Sequence, residues 1–99
     1  MEPALTRFPE DAGVREFYGI LHGAAGQDAK SESLLKRALQ LAENNDLRGA
    51  SIQHNLGFLY QQRGNLAAAR ESYEKALLLN PSHPRTRELL EALGTPAGN

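Results

Sequence analysis

The stretch that decides the fold is His54–Pro81, HNLGFLYQQRGNLAAARESYEKALLLNP. Apolar residues recur at helical spacing twice along it, first from Ile52 just before the stretch through Leu56, Leu59 and Tyr60, then at Leu66, Ala69, Tyr73, Ala76 and Leu77. The tripeptide Arg63-Gly64-Asn65 between the two runs supplies a glycine to end one helix and an asparagine to cap the next. Asn80-Pro81 closes the second run, because the residue before proline is pushed out of helical geometry. The stretch therefore reads as a helical hairpin. One residue looks out of place: Gly57 sits in the middle of the first helix, where glycine costs about 1 kcal/mol relative to alanine.

Working outward, the same pattern recurs 38 residues upstream, where Gly19 stands for Gly57, Gly26 for Gly64 and Ala38 for Ala76. Val14, Tyr18, Leu21 and His22 take the places of Ile52, Leu56, Leu59 and Tyr60, and Ser31 and Leu35 those of Ala69 and Tyr73. A third trace lies at the start, where Ala4-Leu5-Thr6-Arg7-Phe8-Pro9 parallels Ala76–Pro81. No segment alternates with period two, so no strand is expected.

Leu56-Gly57-x-x-Tyr60, then Ala69-x-x-x-Tyr73, Ala76 and Pro81, resembles the tetratricopeptide repeat, whose signature is W-x2-L-G-x2-Y, A-x3-F and P over about 34 residues. Gln53 stands where the family has Trp, and Tyr73 replaces Phe. The resemblance implies an all-α fold of antiparallel hairpins stacked as a short right-handed superhelix. It also gives Gly57 a reason: small residues let the paired helices approach, and Gly57 is expected to face Ala69 and Ala76.

On this reading the 99 residues form one domain. Residues 1–9 are the remnant of a preceding repeat helix, 12–45 the first repeat, 46–83 the second, 83–93 a capping helix and 94–99 a tail. The spacing of 38 exceeds the family's by four residues, close to one helical turn, and the excess is placed around Glu43-Asn44-Asn45-Asp46-Leu47-Arg48-Gly49-Ala50. Asp46 is the expected cap of the helix that follows, with Asn44 and Asn45 ending the one before. Ser82 is the expected cap of the last helix, with Pro84 in its first turn and Gly94 as its stop. Leu89, Leu90 and Leu93 would cover the second hairpin, since a repeat array needs an end with one apolar and one polar face.

Composition narrows the function. Eleven basic residues stand against twelve acidic ones with no basic block, which disfavours nucleic acid or an anionic membrane as the main partner. Cysteine is absent, so disulfides and thiolate metal sites are excluded. No apolar run approaches a signal segment or a membrane span, and the chain is expected in the cytoplasm. The sequence offers no nucleophile with an oriented base, no phosphate loop and no paired acid, so an enzyme is not expected, nor is a cofactor. His22, His54 and His83 do not show the HExxH spacing of a metal site. His22, in a Tyr slot, reads as a hydrogen-bonded packing residue.

The resemblance implies that first helices line a concave groove in which a peptide of a partner protein lies. Its lining by alignment is Gly13, Glu16, Phe17 and Ile20 in the first repeat, Ser51, His54, Asn55, Phe58 and Gln62 in the second, and Arg85, Glu88 and Ala92 in the last helix. Glu16, His54 and Glu88 would form one row, and Ile20, Phe58 and Ala92 another. The family's two-carboxylate clamp needs Lys, Asn, Asn, Lys and Arg. Asn55 and Arg85 fit it, but Glu16 occupies a Lys slot, Ile20 an Asn slot and Leu89 a basic slot, so a dicarboxylate would meet the wrong charge. The groove is expected to take a neutral or basic peptide, with Asn55 bonding its backbone and Phe58 serving as an apolar anchor or as packing between first helices. Self-association, with the chain monomeric or weakly dimeric, is the alternative function.

Overall fold

A computed structural model describes residues 11–83 and 85–93. Five helices follow one another: α1 Ala12–Ala24, α2 Asp28–Leu41, α3 Asp46–Gln62, α4 Leu66–Leu79 and α5 Thr86–Ala92. The described residues contain no strand. The expected remnant helix at 1–9, the placement of Pro84, the stop at Gly94 and the tail at 94–99 lie outside the described residues.

Local chemistry sets the helix ends. Asp11 accepts the Val14 N–H at 2.9 Å and opens α1, and Asn65 accepts the Ala68 N–H at 3.2 Å and opens α4, as its sequence position suggests. Two caps differ from expectation. Asn45, in extended geometry, caps α3 by accepting the Arg48 N–H at 3.0 Å, and Asp46 is the first helical residue. A carboxylate there still meets the positive end of the helix dipole, which is why the two positions compete for the role. Ser82 caps nothing. Its N–H and hydroxyl both turn back to Asn80 Oδ1 at 3.3 Å, and α5 begins only after Arg85, which adopts a left-handed φ of 67°.

Helices α1 and α2 pair, as do α3 and α4; α2 packs on α3, α5 on α4, and α1 also touches α3. The main core lies where the hairpins meet: Leu35, Ala38 and Ala42 against Ile52, Leu56 and Leu59, all buried. Each Leu or Ile buried here contributes about 1.5 to 3 kcal/mol. Within the second hairpin Ala69, Tyr73 and Ala76 have no exposed surface.

Gly57 answers to Tyr73 rather than to Ala69 and Ala76. A Cβ at Gly57 would lie 2.6 Å from Cδ1 and Cε1 of the Tyr73 ring, so the aromatic face rests directly on the helix backbone. The alanines are small enough to be buried, but the ring is what reaches the gap. The first hairpin repeats the arrangement with Leu35, whose Cγ would stand 2.9 Å from a Cβ at Gly19. The turns match too: Gly26 and Gly64 take φ of 82° and 78°, left-handed values that favour glycine.

The helices repeat at the 38-residue offset at every end but one. Helix α1 has 13 residues and α3 has 17, and the difference lies at the N-terminus of α3, where Asp46–Gly49 adds one turn. That turn carries Arg48 into reach of α1.

Candidate functional site

The face that α3 turns toward α1 carries Arg48, Ser51, Asn55, Phe58 and Gln62, spaced by three or four residues. It divides into two halves of different character. Glu16 of α1 is only 4% exposed and sits against the N-terminal half. Arg48 Nη1 donates to its Oε1 at 2.7 Å, while Ser51 Oγ and Asn55 Nδ2 donate to its Oε2 at 2.6 and 2.9 Å. A buried carboxylate is costly unless paired and hydrogen-bonded; here both oxygens are satisfied and the charge is balanced by a guanidinium.

The C-terminal half opens into a cleft of about 480 Å³. Ile20 of α1 and Phe58 of α3 line it, each 46% exposed, so Phe58 is not consumed in packing between first helices. Gly23, Ala24 and Gly26 keep one wall low, Asn55 and Gln62 supply amides, and Asp28 is the one charged side chain of the lining among the described residues. Asn55 belongs to both halves: one of its two amide protons is committed to Glu16, which leaves the second proton and the carbonyl oxygen able to meet a ligand.

Of the residues named from the sequence, Ile20, Asn55, Phe58 and Gln62 come together at the cleft. Glu16 and Ser51 are joined in the polar cluster, and Phe17 lies beyond the rim with 57% of its surface exposed. The expected row of Glu16, His54 and Glu88 does not form, because Arg48 takes Glu16. What faces His54 is instead Thr86, whose hydroxyl is 2.8 Å from Nδ1, together with the rings of Tyr73 and His83 at 5.7 and 4.9 Å. Burial, then His83 and Arg85, hold the His54 imidazole below its ordinary titration range. Arg85 and Glu88 are exposed on and beside α5. His22 bonds through Nδ1 to the Gln27 side chain, in keeping with a packing role.

Arg48 and Asp28 were not anticipated. The signal for Arg48 was present, a cation three and seven residues before Ser51 and Asn55 within the inserted turn, but it needed a partner acid 32 residues away. Among the described residues no cluster of three or more His, Cys, Asp or Glu could hold a metal ion, and no helix is long and apolar enough to cross a membrane.

No curated protein matches the chain. Residues 50–83 match the profile of the tetratricopeptide repeat, a span that starts where the inserted turn ends and runs to the connection before α5. With the hairpin, the glycine under Tyr73 and the left-handed Gly64 turn in place, the match identifies residues 50–83 as a tetratricopeptide repeat.

Proposed function

We propose that the chain is a non-catalytic interaction module whose α1–α3 cleft takes a peptide segment of a partner protein. Repeats of this family mediate protein–protein interactions in general. The observation that carries the finer reading is the exposure of Ile20 and Phe58 side by side in a concave cleft, where a peptide's apolar side chain would leave water. The polar groups around them set its chemistry. Asp28 and the Asn55 carbonyl accept hydrogen bonds and, among the described residues, no cation lines the cleft, so the favoured segment carries an apolar residue beside a lysine or arginine. Glu16 does not add to that preference, its charge being met by Arg48.

Peptides selected from a random library on the intact chain test this reading. The expected ligands combine an apolar and a basic residue, shift the amides of Ile20 to Gly26 and Asn55 to Gln62, and bind Phe58→Ala more weakly by at least about 1 kcal/mol while the variant stays folded. Shifts confined to α2 and α4 would place the site on the opposite face. The alternative, self-association, is favoured by Phe17 and Leu21, exposed at 57% and 46% on α1, and it requires a solution mass that rises with concentration.

A further inference from the structure

Thr86 has no exposed surface, yet it is the first residue of a helix of only seven. Its hydroxyl sits between two imidazoles, 2.8 Å from Nδ1 of His54 on α3 and 2.7 Å from Nδ1 of His83 in the connection, and the ring centroids are 4.9 Å apart. A hydroxyl has one proton to give and lone pairs to receive. Both bonds form when one ring, necessarily neutral, accepts that proton at Nδ1 and the other donates its own Nδ1–H; with both rings neutral they take opposite tautomers, and only protonation of both rings removes the acceptor.

We propose that His54, Thr86 and His83 form an acid-released latch: at neutral pH the paired imidazoles hold α5 on the second hairpin through the Thr86 hydroxyl, and protonation of both rings lets the helix go.

When both Nδ1 atoms carry protons, each can only donate. The hydroxyl proton is then without an acceptor in a site closed to water, and two cations face each other across the same short gap. The groups facing His54 are the Tyr73 phenol from α4, His83 and Arg85 from the connection, and Thr86 from α5. The α5 carboxylates, Glu88 and Glu91, are exposed. Among the described residues, Arg70 reaches the Leu93 carbonyl at 3.4 Å, Arg87 reaches the Pro81 carbonyl at 3.3 Å, and Leu89, Leu90 and Leu93 are only partly buried. Seven residues are too few to persist as a helix alone in water. Release therefore uncovers the end of α4, the surface on which a repeat array adds its next element.

The direction of the effect follows from His54. Its folded-state titration point lies below the ordinary 6.5, so the docked state prefers the neutral ring. Docking is fully supported above that value and weakens as pH falls below it.

Hydrogen exchange on the full chain at about pH 7.5 and about pH 5, corrected for intrinsic amide rates, tests the latch. The amides of Leu89 to Leu93 are expected to lose protection by roughly tenfold in acid while those of α2 hold theirs. His54→Asn keeps a side chain able to bond Thr86 but removes the titration, and should leave α5 protection level with pH; His83→Asn reads the same device should the first variant not fold. Ring nitrogen spectra of the wild-type chain should show opposite tautomers at the higher pH. Equal α5 protection at both pH values, or an acid loss that persists in the asparagine variants, would overturn the proposal.

Discussion

The two hairpins share a backbone and differ in how they fill it. In the second, a tyrosine ring lies on Gly57, with its hydroxyl donating to Gln61 Oε1 at 2.8 Å and its pKa pushed up to about 12, chiefly by burial. In the first, Leu35 does the same for Gly19, and Ser31 Oγ donates to the Gly19 carbonyl at 2.7 Å. The family profile covers only the second. Close approach of paired helices thus outlasts the residues that mark it: it requires a missing Cβ on one helix and a large flat or branched side chain on the other, and either tyrosine or leucine will serve.

The difference in stiffness between those partners gives the largest expected effect. Gly57→Ala would drive a methyl into an aromatic ring that has no exposed surface and no room to turn, at a cost of about 2 to 3 kcal/mol despite alanine's better helix propensity. Gly19→Ala meets Leu35 at Cγ and Cδ2, 2.9 and 3.0 Å away; that side chain is buried too but can rotate about its own torsions, and the change should cost about 1 kcal/mol. Combining Gly57→Ala with Tyr73→Leu gives the second hairpin the alanine–leucine pair of the Gly19→Ala variant; urea unfolding of wild type, the two single variants and the double should show a coupling of about 1 kcal/mol or more in favour of the pair. Additive losses would mean that the ring does not set the contact.

A smaller effect separates the hairpins at their junction. Arg48→Ala removes the counter-charge of Glu16. A fully buried pair broken in this way loses about 3 to 5 kcal/mol, but the Arg48 side chain is 44% exposed and water can reach the gap, so about 1 to 2 kcal/mol is expected. Thermal unfolding of Arg48→Ala beside Glu16→Gln checks this: a larger loss for the arginine variant would show that the orphaned charge, rather than the lost bond, is the source.

The smallest concerns Tyr60, whose first-hairpin counterpart is His22. Its hydroxyl donates to Glu32 at 2.7 Å, and that bond, aided by Lys36 and Arg63 against the opposing effect of burial, lowers the Glu32 titration point from 4.5. The carboxylate therefore stabilises the fold above that value and loses its contribution as pH falls through its lowered one. Tyr60→Phe should cost about 0.5 to 1 kcal/mol at neutral pH, with the gap to wild type narrowing in acid. A gap that stays constant from neutral pH down through the acid limb would remove Glu32 from the account.

The sequence made the helices, the paired left-handed glycines and the Asn65 cap readable because each depends on neighbours a few residues away. What it concealed depends on distant residues. Glu16 reads as a solvated charge on a groove-facing position until Arg48, Ser51 and Asn55 are brought against it. Gly57 marked a close approach of two helices, but whether Ala69 and Ala76 or Tyr73 reached it was a question of side-chain direction across the hairpin. His54 was legible as a first-helix residue and not as a neighbour of His83, because the left-handed Arg85 delays α5 and carries Thr86 between the rings.

Helical repeats are often treated as interchangeable modules, spliced or replaced by consensus units of standard length. The inserted turn at Asp46–Gly49 makes this chain an exception at one joint. Its arginine belongs to the second unit by sequence but to the first by charge, so exchanging α3 for a helix of the usual length would leave an acid stranded inside the neighbouring unit. The smallest portable piece here is not a hairpin but a hairpin together with the opening turn of the one that follows it.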